Sequence, residues 1–163
     1  MSSLPENLIG NILHERRLKL VAAESCTGGL IGSRITDVAG SSEYFLGSVV
    51  AYAYEVKAKL LDVSWETLNK YGAVSRETVL EMAKGAQQRI GGDIAISVSG
   101  IAGPGGGTPE KPVGTTWIGL VTNDGEWAKE FHFTGSREQN KSSAADAALQ
   151  MLLDYLQNGY KKE

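Results

Sequence analysis

The fold of this chain is decided by one stretch, Leu20-Val21-Ala22-Ala23-Glu24-Ser25-Cys26-Thr27-Gly28-Gly29-Leu30. Its apolar first half is typical of a short buried strand, and a new apolar periodicity that begins at Leu30 indicates a helix. The residues between them, Ser25 to Gly29, therefore lie where a strand ends and a helix begins. Ligands of α/β proteins bind outside the carboxyl ends of strands, and the N–H groups of a helix N-terminus attract negative charge. This turn is the first candidate for a functional site.

Composition limits the class of protein. The chain has 163 residues, an apolar fraction of 42% and a net charge of −3, so we expect one soluble domain over residues 1–163. Sequence-independent binding to nucleic acid requires clustered Lys and Arg, which this charge balance does not supply. A single cysteine favours a reducing, cytoplasmic setting, and neither a signal peptide nor a membrane span is visible.

Helix and strand patterns alternate along the chain. We expect helices over 4–17, 27–38, 56–61, 64–71, 76–90 and 137–158, and strands over 18–23, 44–54, 93–98, 113–121 and 126–134. The pattern over 44–54 predicts a strand that is buried in its middle, and Asp124-Gly125 predicts a hairpin turn. This order of elements predicts an α/β fold, a three-layer α/β/α sandwich with a mixed, mostly parallel sheet.

Several kinds of chemistry are disfavoured by what the sequence contains. Neither a P-loop nor a Gly-x-Ser-x-Gly elbow is present. The two histidines, His14 and His132, have no second His or Cys at metal-ligand spacing, so we expect no metal and no other cofactor. A Ser-His-Asp triad would have to use His132, which stands between Phe131 and Phe133 in an ordinary strand pattern.

A lysine is the best remaining candidate for a general base. Lys57 follows an apolar segment at the point where strand gives way to helix, which predicts a buried stem and a lowered pKa. Tyr52 lies five residues earlier, and a hydroxyl near a Ser-Lys pair is able to pass a proton between nucleophile and leaving group. The competing interpretation makes Lys57 a surface residue and Tyr52 a core aromatic.

The identity of the nucleophile stays open at this level. Ser25 is one candidate, although Ser25 and Thr27 are also typical helix-capping residues. Cys26 is the other, because cysteine is the better intrinsic nucleophile and Glu24, Cys26 and Lys57 together match nitrilases in residue type. Adjacent residues in such a turn point in different directions, so only one of them faces a given substrate.

The segment 99–112 is the second candidate region. It has no regular periodicity, and its glycines at 100, 103 and 105–107 leave backbone N–H groups free to wrap a phosphate or carboxylate. Ser99 and Thr108 supply hydroxyls, and Lys111 supplies a charge. The alternative is a mobile surface loop. Arg137, at the start of the last helix, is able to pair with an anion or to be a solvated helix end.

These segments together resemble the CinA C-terminal domain family. The resemblance rests on five ordered motifs: 23–29 (AESCTGG), 40–42 (GSS), Tyr52 with Lys57, 72–75 (GAVS), and 99–115 (SGIAGP through KPVGT). It covers nearly the whole chain and implies a metal-independent amidohydrolase, since stand-alone members include nicotinamide mononucleotide deamidases. The implied reaction yields nicotinic acid mononucleotide and ammonia in pyridine nucleotide recycling.

The resemblance also implies roles for particular residues. The catalytic positions fall on Ser25, Tyr52 and Lys57. The substrate-binding positions are Gly40, Ser99 and Arg137, to which we add the turn residues Thr27 and Gly28 and the loop residues Gly100 and Gly103. Two departures stand out: the second arginine common in the family is replaced by Lys141, and the asparagine between tyrosine and lysine is replaced by Tyr54.

The expected partner is therefore a small nucleotide, nicotinamide mononucleotide. We expect neither nucleic acid nor membrane binding, and the resemblance implies a homo-oligomer, in the simplest case a dimer. The family name derives from competence and DNA damage, so the alternative is a non-catalytic nucleotide-sensing or protein-binding module. A nucleophile paired with a base favours the enzyme, because a binding module needs neither.

Overall fold

A computed structural model describes residues 3–161 of the chain. The helices are α1 (Pro5–Arg16), α2 (Leu30–Thr36), α3 (Tyr54–Leu61), α4 (Trp65–Tyr71), α5 (Arg76–Ile90) and α6 (Arg137–Asn158). The strands are β1 (Leu20–Glu24), β2 (Phe45–Val50), β3 (Ile94–Gly100), β4 (Thr115–Thr122) and β5 (Gly125–His132). The helices over 64–71, 76–90 and 137–158 are confirmed almost to the residue, because side-chain caps define where they begin. Ser64, Ser75 and Ser136 each accept a hydrogen bond from a first-turn N–H group.

The five strands form one mixed sheet in the order β2-β1-β3-β4-β5. β1 pairs in parallel with both β2 and β3, while β3-β4 and β4-β5 are antiparallel. Four of the five strands consequently run in the same direction, which confirms the mixed, mostly parallel sheet. β1 lies inside the sheet, so the carboxyl end of β1 is flanked by strand ends on both sides.

Helices cover both faces of the sheet and confirm the three-layer architecture. Alternate residues of β1 point to opposite sides: Leu20 and Ala22 enter the core under α1, α2 and α6, whereas Val21 and Ala23 enter the core under α3, α4 and α5. The same alternation places the side chains of Glu24 and Ser25 on opposite faces. Within residues 3–161, none of the helices has the length and apolar character needed to cross a membrane.

The prediction for 44–54 is wrong in two respects. β2 ends at Val50, four residues before the predicted end, and its middle is only half-buried. The physical reason is its position at the edge of the sheet, where Leu46 and Val50 are 44% and 43% exposed. Apolar and β-branched residues predict a strand but do not distinguish an edge strand from an inner one. Tyr52 therefore lies in a connection and not on a strand.

The helix predicted from Thr27 begins three residues later, at Leu30. Gly28 and Gly29 have φ angles of +62° and +106°, in the left-handed region that favours glycine and that an α-helix does not contain. These two residues turn the chain sharply between β1 and α2. The hairpin around Asn123-Asp124-Gly125 is confirmed, with Thr122 paired to Gly125 and with Asn123 and Asp124 as the two turn residues.

Candidate active site

Ser25 and Lys57 come together at the carboxyl end of β1. The Nζ of Lys57 lies 2.9 Å from Ser25 Oγ, although the two residues are 32 positions apart in the chain. Lys57 is fully buried and Ser25 is nearly so. The interpretation of Lys57 as a surface residue is therefore wrong, because α3 packs against α5 and the Lys57 side chain is directed inward to the carbonyls of Ala51 and Tyr52.

The surroundings of Lys57 make its amine easier to deprotonate than that of an exposed lysine. Its Nζ lies 2.8 Å from the carbonyl oxygen of Ala51 and 2.8 Å from that of Tyr52. Burial lowers its pKa from the usual value to about 8, and among residues 3–161 no carboxylate forms an ion pair with it. As an ammonium, Lys57 donates to these two carbonyls and to Ser25 Oγ. Once it is deprotonated, its two N–H bonds remain for the carbonyls, and its lone pair is left for the hydroxyl of Ser25.

The neighbouring cysteine is placed differently. Cys26 is buried in the core beneath α1, α2 and α6, and within residues 3–161 no hydrogen bond joins it to Lys57. Burial raises the pKa of its thiol to about 11, so the thiolate, which is the nucleophilic form, is scarce at neutral pH. The carboxylate of Glu24 is bonded to the turn and to α2, so the nitrilase-like set of Glu24, Cys26 and Lys57 is not assembled.

Tyr52 does not place its hydroxyl on the Ser-Lys pair. Its backbone carbonyl binds Lys57, but its side chain is 60% exposed and its hydroxyl accepts a hydrogen bond from Arg137 Nη2 at 3.1 Å. Within residues 3–161 that hydroxyl has no hydrogen bond to Ser25 or Lys57. The interpretation of Tyr52 as a core aromatic is also wrong, because the chain has already left the sheet at this position.

The glycine-rich loop is anchored to the start of α6. Arg137 Nη1 donates to the carbonyl oxygen of Gly103 at 2.7 Å, and Asn140 Nδ2 donates to that of Ala102 at 3.0 Å. The Asn140 side chain also accepts the N–H of Gly135. Side chains of α6 therefore hold the start of the loop, while residues 104–110 are exposed.

The turn after Ser25 uses two of its donors for hydrogen bonds within the protein. The N–H of Gly28 donates to the carbonyl oxygen of Ser25 at 3.1 Å. The hydroxyl of Thr27 is buried and donates to Glu24 Oε1 at 2.7 Å, so it faces inward and away from a substrate. Among the described residues, the backbone N–H groups of Cys26 and Thr27 have no acceptor, and they remain as candidate oxyanion donors.

The other predicted binding residues are divided between two ends of the sheet. Ser99 lies directly beyond the Glu24–Val98 pairing of β1 and β3, beside Ser25. Gly100 follows it, but a Cβ there would come within 2.5 Å of Thr116 Oγ1, so its glycine is explained by strand packing.

Gly40 is at the other end. It precedes the 3₁₀ helix Ser41–Glu43 and lies near the start of β2, across a strand length from Ser25. Gly40 is therefore not part of the Ser25 site within this chain, because the parallel strands β1 and β2 separate a residue before β2 from one after β1.

A cavity of about 730 Å³ opens beside the turn. It lies between residues 27–30 and the first turns of α6, where Arg137 and Lys141 line it together with Glu138. Lys141 approaches closely, since a Cβ on Gly28 would be 3.9 Å from its Nζ. Lys141 is half-buried, and neither of the two cations forms an ion pair within residues 3–161.

Some candidates belong to neither the Ser-Lys pair nor this cavity. Lys111 donates to the carbonyl oxygen of Tyr71, and Thr108 accepts the N–H of Lys111 within the loop itself. His132 is on the outer strand β5, 3.3 Å from Glu130, so no Ser-His-Asp triad forms with Ser25. In the described part of the chain, no three His, Cys, Asp or Glu side chains are arranged to hold a metal ion.

Sequence reasoning missed two contributors to the site. The carbonyl oxygens of Ala51 and Tyr52 orient Lys57, and backbone groups leave no signal in residue type. Glu24 is the other: the sequence names it only as part of a nitrilase-like set, and its bonds to the turn and to α2 depend on the tertiary structure. Its burial at 0% exposure shows that the carboxylate has partners inside the protein.

Comparison with known proteins adds the family to this geometry. The profile of the CinA C-terminal domain matches residues 3–156. The chain belongs to this family. A putative competence-damage inducible protein of Halothermothrix orenii is 50% identical over 98% of the chain, and a CinA-like protein of Syntrophomonas wolfei is 52% identical over 86%. The chain spans only 39% and 34% of the lengths of these two CinA relatives.

Solved CinA structures have the same fold along their whole length. The competence/damage inducible protein CihA of Agrobacterium tumefaciens superposes with a TM-score of 0.88 at 37% identity, covering 97% of this chain and 100% of that one. The competence damage-inducible protein A of Klebsiella pneumoniae has a TM-score of 0.91 at 34% identity, with the same coverage. The α/β/α architecture described above is therefore the architecture of the family.

Proposed function

We propose that this member of the CinA family is an amidohydrolase that converts nicotinamide mononucleotide to nicotinic acid mononucleotide and ammonia. The observation that carries the proposal is the contact between Lys57 Nζ and Ser25 Oγ at 2.9 Å, with Lys57 buried and its pKa lowered to about 8. A buried lysine hydrogen-bonded to a serine at a strand end is a nucleophile with its base. A pure binding site needs neither.

Acylation is the first step of the proposed reaction. Lys57 accepts the proton of Ser25 as Oγ attacks the carboxamide carbon and a C–O bond forms. The oxygen of the carbonyl takes the negative charge, and the N–H groups of Cys26 and Thr27 are the donors nearest to the nucleophile. The C–N bond then breaks as the ammonium of Lys57 returns its proton to the leaving nitrogen, which departs as ammonia.

Deacylation repeats the proton transfers with water. Lys57, neutral again, takes a proton from water as the water oxygen attacks the acyl carbon. The second tetrahedral intermediate collapses, the bond to Oγ breaks, and Lys57 protonates Ser25. The products are the free acid and a regenerated enzyme, and no external oxidant, reductant or metal enters the balance.

The cavity beside the turn suits a phosphorylated substrate. Arg137 and Lys141 provide two positive charges that lack ion-pair partners within residues 3–161, and a phosphate monoester is the complementary group. Arg137 also donates hydrogen bonds to the carbonyl oxygen of Gly103 and the hydroxyl of Tyr52. An anion bound to Arg137 is therefore linked to the glycine loop and, through Tyr52, whose carbonyl oxygen accepts from Lys57, to the Ser-Lys pair. Binding energy at the phosphate would position the amide near Ser25.

The proposal is tested directly by ammonia release. The purified chain is incubated with nicotinamide mononucleotide in a coupled ammonia assay, with nicotinamide riboside, which lacks the phosphate, as the comparison substrate. We expect turnover of the mononucleotide and a much higher KM for the riboside. Tight binding of the mononucleotide without ammonia release would contradict the enzymatic proposal.

The activity is expected to depend on the protonation of Lys57. Its pKa is about 8, and only the neutral amine accepts the Ser25 proton, so kcat/KM should rise with pH through about 8 and fall about tenfold per pH unit below it. Measurement between pH 7 and 9.5 avoids the titration of the substrate phosphate near pH 6. The variant Tyr52→Phe should keep the same inflection, and a flat wild-type profile would contradict Lys57 as the base.

Removing the charge of Arg137 should weaken substrate binding. For Arg137→Gln we expect KM for the mononucleotide to rise by about 10- to 100-fold with little change in kcat, since a charge-assisted hydrogen bond contributes about 1.5–3 kcal/mol. The riboside should show no comparable change. Arg16→Gln, an exposed cation at the end of α1, is the matched control. Equal losses on both substrates would show that Arg137 does not bind the phosphate.

A nucleotide-sensing module is the second candidate. The cavity lined by Arg137 and Lys141 would bind a nucleotide even without catalysis at Ser25. A relative in Halothermothrix orenii is described as a putative competence-damage inducible protein. The ammonia assay separates the two functions, because a sensor binds the mononucleotide and releases no ammonia.

A further inference from the structure

The carboxylate of Glu24 lies directly behind the proposed nucleophile and is fully buried. It accepts four hydrogen bonds. Oε1 accepts from the hydroxyl of Thr27 at 2.7 Å and the N–H of Ile31 at 2.8 Å, while Oε2 accepts from the N–H of Gly32 at 3.1 Å and the hydroxyl of Ser48 at 2.6 Å. Each of its two oxygens therefore has two donors, which is the full capacity of a carboxylate.

These bonds replace the side-chain cap that α2 lacks. The N-cap residue, Gly29, has no side chain to accept the first N–H groups of the helix. Ile31 and Gly32 supply the N–H groups at the second and third helical positions, and Glu24 accepts both. A Cβ on Gly32 would lie 3.2 Å from Ser48 Cβ and 3.5 Å from Glu24 Oε2, so a glycine at 32 leaves room for the carboxylate and Ser48 to meet.

The same residue is connected to the Ser-Lys pair through the backbone. The carbonyl oxygen of Glu24 accepts the N–H of Ala51 at 2.8 Å, and the carbonyl oxygen of Ala51 accepts from Lys57. Lys57 in turn contacts Ser25, the next residue after Glu24. Glu24 thus holds the turn from one face of the sheet, while Ser25 is presented to its base on the other face.

We propose that Glu24 is a positioning residue for the amidase reaction, which fixes the turn 25–29 so that Ser25 Oγ and the N–H groups of Cys26 and Thr27 face the same point. This inference rests on the function proposed above. Glu24 does not touch the dyad through its carboxylate, and all its acceptor sites are occupied, so it neither moves a proton nor binds the substrate. Its effect is on the geometry of the transition state.

Glu24→Gln tests this assignment with almost no change in shape. A carboxamide replaces two acceptor sites with an N–H₂ group, which necessarily faces either the Ile31 or the Gly32 N–H. The turn then has to shift, and a displacement of about 1 Å at a catalytic group costs about 100-fold in rate. We expect kcat to fall by about 100-fold, with KM for nicotinamide mononucleotide nearly unchanged and the inflection near pH 8 preserved.

Two matched variants separate positioning from stability. Ser64→Ala removes the hydroxyl that caps α4, which accepts hydrogen bonds from the N–H groups of Glu66 and Thr67. It should lower Tm by an amount similar to Glu24→Gln but leave kcat unchanged at 25 °C. Ser48→Ala removes one of the four donors and keeps the carboxylate, so its loss of kcat should be several-fold at most. A kcat of Glu24→Gln within threefold of that of Ser64→Ala overturns the proposal, as does a shifted pH inflection.

A second readout keeps the two proposals separable. The rate at which a fluorophosphonate labels Ser25, followed by mass spectrometry, measures the reactivity of the serine without a nucleotide. If the wild type releases no ammonia but its Ser25 is labelled, and Glu24→Gln is labelled about 100-fold more slowly, the nucleotide substrate is wrong and the role of Glu24 stands. If ammonia is released but Glu24→Gln matches wild type in both measurements, the amidase stands and the role of Glu24 is overturned. If the wild type shows no turnover and its Ser25 is not labelled, both proposals are overturned.

Discussion

Replacing Ser25 with alanine is expected to lower kcat for ammonia release by about 10⁴-fold or more, because the acyl-enzyme no longer has an oxygen on which to form. The KM or Kd for nicotinamide mononucleotide should change little, since the proposed phosphate contacts at Arg137 and Lys141 remain. Ammonia release measures the first effect, and calorimetric titration of the variant with the mononucleotide measures the second.

Cys26→Ala is the matched control for the adjacent position. The thiol of Cys26 is buried in the core beneath α1, α2 and α6 and its pKa is raised to about 11, so we expect kcat within a few-fold of wild type and only a modest loss of stability from the small cavity. An active Ser25→Ala together with an inactive Cys26→Ala would overturn the assignment of the nucleophile. Mass spectrometry of an acyl-enzyme trapped by rapid quenching would identify the acylated residue independently.

Replacing Lys57 with methionine is expected to lower kcat by about 10²- to 10⁴-fold, the range for loss of a general base. Methionine keeps an unbranched apolar side chain of similar length in the buried site, so packing is retained while the proton acceptor is lost. Lys59→Met, an exposed lysine on the same helix, should keep full activity. Retention of the wild-type rate in Lys57→Met would exclude Lys57 as the base.

The stability of the same variant provides a test that needs no substrate. Lys57 has a pKa of about 8 in the folded protein and about 10.4 in an unfolded chain. Between these values the unfolded state binds more protons, so the stability of wild type relative to Lys57→Met should rise as pH increases from 8 to 10.5 and be constant below 8. Urea denaturation of both proteins at pH 7.5 and 10 measures this difference. An equal gap at both pH values would show that the pKa of Lys57 is not lowered by folding.

Much of the fold was predictable because local signals and tertiary packing agree. The predicted helices over 64–71, 76–90 and 137–158 are confirmed and begin at serine caps, and the hairpin predicted around Asn123-Asp124-Gly125 is confirmed. The strand 44–54 was misjudged because composition alone does not reveal whether a neighbouring strand exists on each side. Its premature end at Val50 also moved Tyr52 off the sheet and separated its hydroxyl from the Ser-Lys pair.

The sequence alone determined that a strand ends and a helix begins around Ser25, that Lys57 follows an apolar segment, and that the chain has the motifs of the CinA family. These features are local, because they depend on residue type and spacing along a few turns of chain. Only the tertiary structure decided that Lys57 meets Ser25, that Cys26 is buried in the core beneath α1, α2 and α6, that the Glu24 carboxylate faces the other side of the sheet, and that Gly40 lies at the opposite end. Those relations depend on the order and direction of strands, which no spacing between residues 25, 40 and 57 encodes.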